Sequence, residues 1–296
     1  MKKHAYLIMA HNEFYILERL LKMIDDKRND IYLHIDKKVK DFDFEYYRKI
    51  VKKSNLYFTP RIDVSWGRDT QIKCELVVLK EAIKKKYDYY HLLSGVDLPL
   101  KNQDEIHKFF DNCGHKDFVH FCYHNPVNDH ILDRVKYHHL FLKNIRSNNK
   151  IKLFFAQKMH SIVLRIQKLF KYSRIRSNED MFYYGANWFS ITDELARYVV
   201  SQEKFIWKLF KNTICTDELF VQTIVRNSKF YKNLYLNEDD NYAQIMRMID
   251  WKRGQPYTFK KDDFDELMNS GMLFARKFSA KTDKEIIDMI YDKVGE

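Results

Sequence analysis

Tyr89-Tyr90-His91-Leu92-Leu93-Ser94-Gly95-Val96-Asp97-Leu98-Pro99 is the stretch that decides the fold. An apolar and aromatic run of strand length is cut off by a small polar turn, the pattern of a buried strand that ends at a crevice. Just before it, residues 69–86 place Ile72, Leu76, Leu79 and Ile83 at helical intervals. Further back, Leu56-Tyr57-Phe58 reads as a strand and 44–53 as a helix. Ile31-Tyr32-Leu33-His34-Ile35 is a strand ending at Asp36-Lys37-Lys38, and 13–27 is a helix with Ile16, Leu20, Met23 and Ile24 on one face. Tyr6-Leu7-Ile8-Met9-Ala10 opens the series, and Asp63-Val64-Ser65-Trp66-Gly67 reads as a further strand end with a turn. Alternation at this spacing predicts right-handed βαβ units and a mostly parallel sheet flanked by helices, an α/β fold. Ligands of such sheets bind at the carboxyl ends of the strands. Ala10-His11-Asn12, Asp36-Lys37, Ser65-Trp66 and Ser94-Gly95-Val96-Asp97 all fall there.

The pattern is less regular beyond residue 118. Residues 118–177 are rich in His, Tyr, Lys and Arg, and 151–170 reads as a basic amphipathic helix, either a cover over the sheet or a contact with acceptor or membrane. Residues 184–192 read as a strand with a glycine entry, followed by helices from Asp193 and from Glu203. Thr216-Asp217-Glu218 reads as the start of a helix that buries Leu219, Phe220, Val221, Ile224 and Val225. Residues 243–251 form a strand carrying Arg247, 263–270 a short helix, 272–278 a strand carrying Arg276-Lys277, and 282–294 a closing helix.

The 296 residues are 45% hydrophobic, enough for a sizeable core, and the 7 glycines and 4 prolines leave no linker or low-complexity tract. One domain over residues 1–296 is expected, in two halves, a regular 1–117 and a less regular 118–296. The first apolar run is short and broken by His11-Asn12-Glu13, so it reads as a strand, and the protein is expected to be cytoplasmic, at the inner face of the membrane. Cys74, Cys113, Cys122 and Cys215 form no CxxC pair, which argues against a disulfide framework or zinc site. Net charge is +11, which suits nucleic acid, an anionic membrane or a phosphate-bearing substrate. The sequence contains no GxGxxG, P-loop, HExxH or GxSxG. Asp41-Phe42-Asp43 and Asp263-Phe264-Asp265 read as helix starts rather than metal ligands, so no metal is expected.

Seven segments occur in an order that resembles one family: Ala5-Tyr-Leu-Ile-Met-Ala-His-Asn12, Ile31-Tyr-Leu-His-Ile-Asp-Lys37, Val64-Ser-Trp-Gly67, Tyr90-His-Leu-Leu-Ser-Gly-Val-Asp-Leu-Pro-Leu-Lys101, Ala186-Asn-Trp-Phe-Ser190, Thr216-Asp-Glu-Leu-Phe220 and Phe274-Ala-Arg-Lys-Phe278. Together they are similar to the core-2/I-branching β-1,6-N-acetylglucosaminyltransferases, relatives of peptide O-xylosyltransferase. The resemblance implies a GT-A-type fold, a UDP-sugar donor, an inverting mechanism without a metal, and transfer of N-acetylglucosamine to a hydroxyl of a glycan or lipid-linked glycan. It makes Glu218 the general base. Uridine and ribose contacts match Ala10, His11, Asn12, Asp36 and Lys37, with Asp63 and Trp66 beside them. Diphosphate contacts match Arg247 and Lys277, with Arg276 an adjacent competitor. Asp97, Asn187, Trp188 and Asp217 are candidate sugar or acceptor contacts. The animal enzymes' anchor, stem and cysteine framework have no counterpart here, which implies a bacterial-type member in cell-surface polysaccharide synthesis.

An inverting transfer needs a carboxylate to take the acceptor proton, and fixed cations to meet charge on the departing diphosphate. Glu218 and the two strand-borne cations supply both. The rivals are a basic nucleic-acid-binding protein, which the charge and the 16% aromatic content permit, and a related subunit without activity. Aromatic and basic residues do not interleave in one patch, so no nucleic acid is expected.

Overall fold

The computed structural model describes residues 2–123, 130–145, 149–175 and 179–295, so parts of the irregular stretch 118–177 lie outside the described residues. Nine strands form two sheets: β1 His4–Ala10, β2 Asn29–Ile35, β3 Asn55–Phe58, β4 Tyr89–Ser94, β5 Leu98–Pro99, β6 Phe118–Val119, β7 Phe189–Thr192, β8 Arg247–Ile249 and β9 Phe274–Arg276. The main sheet runs β3-β2-β1-β4-β7-β6. Its first four members are parallel, with Tyr6 opposite Ile31 on one side and His91 on the other. β7 and β6 then pair antiparallel, His91 facing Ser190 and Phe118 facing Ser190 across the next pair. The sheet is therefore mixed, parallel where strand and helix alternate and antiparallel at the edge built from the irregular half.

Helices cover both faces, which is why β1 and β2 are buried along almost their whole length. Successive side chains of β1 go to opposite faces. Leu7 packs with Ile72, Leu76 and Leu79 of the helix Thr70–Ala82 and with Leu195 of Asp193–Ser201. Tyr6 and Ile8 pack with Leu17 and Leu20 of Phe14–Met23, Phe110 of Gln103–Asn112 and Ile290 of Glu285–Val294. On that second face His4 stacks on His107 with ring centroids 4.0 Å apart and hydrogen-bonds to His91 at 3.1 Å. Burial depresses the pKa of all three, that of His107 to about 4.

The small sheet, β5-β9-β8, determines where the chain's last strands go. β9 lies antiparallel to β5 and parallel to β8, with Leu98 opposite Ala275 and Ile249 opposite Arg276. It brings Arg276 to the turn after β4.

Four expected elements differ. Residues 63–67 form a turn-bearing loop, not a strand end. The strand expected over 184–192 is confined to β7, because Gly185 and Ala186 use their N–H groups on the carbonyl of Glu218 and on His120 instead of a ladder. The strand expected over 243–251 opens as a 3-10 turn, Tyr242–Ile245, and only β8 remains. The helix expected from Thr216 starts at Phe220 and ends at Arg226. Asp217 and Glu218 lie in the turn before it, closed by Leu219 and Phe220 N–H donating to Thr216 O at 3.1 Å.

Candidate active site

The carboxyl ends of β1, β2 and β4 meet. Asp36 N donates to Ala10 O at 3.0 Å and Gly95 N to Met9 O at 2.9 Å. A β-carbon on Gly95 would stand 2.8 Å from that of Ala10, so only glycine lets the two strand ends approach this closely. Beneath the edge, the buried Asp36 accepts from Lys38 N at 2.8 Å and Val64 N at 3.3 Å. It thus holds two strand-end loops together, while Lys37, His11 and Asn12 are exposed beside it. Lys37 has no side-chain partner among the described residues. Asp63 is exposed and faces Lys38 at 3.5 Å.

From Trp66, which is 53% exposed, the loop reaches the acid turn directly. Cys215 N donates to Gly67 O at 2.8 Å. Gly67 N donates to Gln71 Oε1, and Gln71 Nε2 donates to Asp217 Oδ2 at 2.7 Å. Asp217 is buried; desolvation, with the Glu218 charge beside it, raises its carboxyl pKa to about 7. One helical turn on from Gln71 sits Glu75, 2% exposed, with neither carboxylate oxygen hydrogen-bonded. Burial first, and Asp217 second, push its pKa well above the usual carboxylate range, and the Asn187 amide is its polar neighbour. Three acids therefore stand in series, two of them out of water.

Glu218 is the most open of the three and receives a charge-assisted hydrogen bond from Arg134 Nη1 at 2.7 Å. The same nitrogen donates to Cys215 O at 3.1 Å, and the guanidinium lies 5.4 Å from the Tyr184 ring centre. Tyr184 reaches this position because Gly185 packs against His120. A β-carbon at 185 would come within 2.0 Å of the His120 carbonyl oxygen.

On the other side of the acids stands Arg276. It faces Asp97 at 3.3 Å and lies over the Trp188 ring at 4.0 Å, and its Nε makes no hydrogen bond. Desolvation depresses its pKa, against the stabilising charges of Asp97, Glu218 and Asp217. Asp97 is itself buried, accepting from Ser94 N at 2.9 Å and Ser94 Oγ at 2.5 Å. The next residue, Lys277, has no side-chain partner among the described residues.

The structure brings Glu218, Asp217, Asn187, Trp188, Asp97 and Arg276 together, with Lys277 following, and ties the strand-end group to them through the Trp66 loop. It corrects several expected roles. Arg247 is 1% exposed and donates to Leu92 O at 3.1 Å and Phe189 O at 2.8 Å, so it braces β4 against β7 instead of presenting a guanidinium to ligand. Its burial lowers its pKa to about 9. Asp97 anchors Arg276 rather than meeting sugar, and Trp188, buried beneath Arg276, offers no open face for an acceptor. Asp217 faces Gln71, not the cleft. The residues not anticipated are Arg134, Gln71, Glu75 and Tyr184. A Gln-x-x-x-Glu pair on a buried helix register was the available signal for two of them. Among the described residues, no three His, Cys, Asp or Glu side chains are grouped to hold a metal, and no helix is long and apolar enough to cross a membrane.

A helix-covered mixed sheet, with a carboxylate turn facing a strand-borne guanidinium at its carboxyl edge, is a GT-A-like glycosyltransferase architecture. The chain belongs to the Core-2/I-branching enzyme family, whose sequence model matches residues 4–270. It is 23% identical over 310 residues to rat xylosyltransferase 2, covering 97% of this chain and 33% of that protein. To human xylosyltransferase 1 it is 22% identical over 306 residues, covering 97% and 30%. The chain thus spans about a third of the length of the curated relatives it matches.

Proposed function

We propose that the protein transfers a sugar from a UDP-sugar to a glycan hydroxyl with inversion, Glu218 acting as general base. The observation that carries this is the Glu218 turn: a half-open carboxylate set by Arg134 at 2.7 Å, opposite Arg276 at the carboxyl edge of the sheet. The acceptor oxygen attacks the anomeric carbon and gives its proton to Glu218 while the bond to the UDP β-phosphate oxygen breaks. Arg134 fixes the carboxylate's direction. Charge developing on UDP is met by Lys277, with Arg276 supporting it from within. This requires no metal. Lys37, Asn12, Asp63 and Trp66 border the place for the nucleoside. The family resemblance favours N-acetylglucosamine as the donor sugar and the names of the relatives favour xylose, so both belong in the first screen. Cell-surface polysaccharide is the acceptor class proposed.

The test is UDP titration by calorimetry in EDTA and in magnesium, followed by transfer assays with UDP-N-acetylglucosamine and UDP-xylose on Glu218→Gln. Equal binding in both buffers and a transfer rate lowered at least a hundredfold are expected. Binding only with magnesium would overturn the metal-free reading, and an unchanged rate in Glu218→Gln would remove Glu218 from the chemistry.

A further inference from the structure

The helix Lys150–Leu169 has its apolar stripe on the wrong side for a cover helix. Its inward face carries Ala156, His160, Val163 and Gln167. Ala156 is buried, His160 Nδ1 meets Leu140 O at 3.0 Å, and Gln167 bonds to both His138 N and His138 O. The face turned outward carries Ile151, Phe155, Met159, Ile162, Ile166 and Leu169, at the spacing that lines up one side of an α-helix. Ile151 is 69% and Leu169 78% exposed, and Phe170 continues the stripe at 77%. Lys152, Lys158 and Arg165 flank it, Lys168 turns inward to Asp133 at 3.1 Å, and no Asp or Glu occurs from Asn149 to Arg174 among the described residues.

An exposed apolar stripe of this extent signals a partner. Charge decides which one. A second copy of the helix would set lysine against lysine with no acid to pair. A bilayer with anionic headgroups satisfies both features, because a helix lying in the interface sinks its apolar face to the acyl boundary and leaves its cations among the phosphates. We propose that Lys150–Leu169, with Phe170, is an in-plane membrane-binding helix that seats the protein on an anionic bilayer.

The seat is coupled to the catalytic turn. Lys168 Nζ meets Asp133 Oδ2 at 3.1 Å, and the next residue, Arg134, holds Glu218. If the transferase reading holds, the bilayer would present a lipid-linked acceptor near that carboxylate. Membrane binding itself does not rest on that reading.

The test is flotation of the full chain with phosphatidylcholine vesicles and with vesicles containing phosphatidylglycerol, at low and high salt. Selective capture by the anionic vesicles, weakened by salt, is expected. The variant Ile151→Ser/Phe155→Ser/Leu169→Ser changes only exposed positions, so its thermal melt should match wild type while its bound fraction falls about tenfold or more. Lys152→Gln/Lys158→Gln/Arg165→Gln should lose the preference for anionic lipid. Equal capture of the serine variant would overturn the proposal, as would absence of capture by anionic vesicles. Light scattering that shows a dimer abolished by the serine variant, without vesicle capture, would assign the stripe to a second copy and overturn it likewise.

Discussion

Replacing Glu75 with Gln should stabilise the protein at neutral pH, although it removes a charged group from the core. The carboxyl is buried, unbonded and next to Asp217, so its pKa in the fold is raised. A raised acid costs stability above its unfolded value of 4.5, and the cost grows as pH rises while the proton is retained. While the proton is retained, each pH unit above 4.5 costs the wild type at most about 1.4 kcal/mol. The glutamine keeps the shape and removes the titration, but burying its amide with only the Asn187 amide beside it costs about 1–2 kcal/mol. The melting temperature of the variant is therefore expected to rise relative to wild type as pH goes from 5 to 8, by no more than the equivalent of about 1.4 kcal/mol per pH unit. Calorimetric melts of both proteins from pH 5 to pH 8 measure it. A variant melting below wild type by one constant margin at every pH would refute the reasoning, since it would mean Glu75 is ionised and paired in the fold.

Other outcomes follow from the same geometry. Arg247→Met should lose about 3 kcal/mol or more, because the carbonyls of Ile245, Leu92 and Phe189 lose a donor, whereas Lys277→Met should melt normally and bind UDP about 10–100-fold more weakly by calorimetry. Gly185→Ala should cost at least about 3 kcal/mol in chemical denaturation, since the added methyl meets a backbone oxygen that cannot move away. Arg134→Gln should change stability by less than about 1 kcal/mol, its ion pair being partly open, yet lower kcat with little effect on KM, as expected of a residue that only aims the base. Burial holds His34, His107, His120 and His139 at about 4, below the unfolded 6.5. Their effect is nil above pH 6.5, and stability should fall by about 1–2 kcal/mol for each as pH drops from 6.5 towards 4, visible in melts as a loss that steepens below pH 6.5.

The parallel part of the sheet was legible because β1, β2 and β4 are runs of six or seven almost wholly buried residues with helices between them, and only the four-residue β3 is half open. β6 and β7 were harder. Two and four residues are too short for a period to show, and their partners come from distant parts of the chain. Arg247 looked like a ligand group because a charge in an apolar strand usually needs a functional reason. Here backbone carbonyls satisfy it instead. Arg276 and Lys277 could not be ranked without knowing which face of β9 meets Asp97. Arg134 had no local signal at all, since it lies in a four-residue helix inside the irregular middle and gains meaning only from Glu218 across the fold.

The small sheet has a consequence for how the protein comes into being. β9 inserts between β5 and β8, so Asp97 acquires its cation only when a strand from far along the chain threads back to a turn made much earlier. Loop closure over so long a span is entropically slow. A nascent chain can therefore have its parallel sheet in place while Asp97 still lacks Arg276, and the pair should form in one step, when β9 docks between β5 and β8.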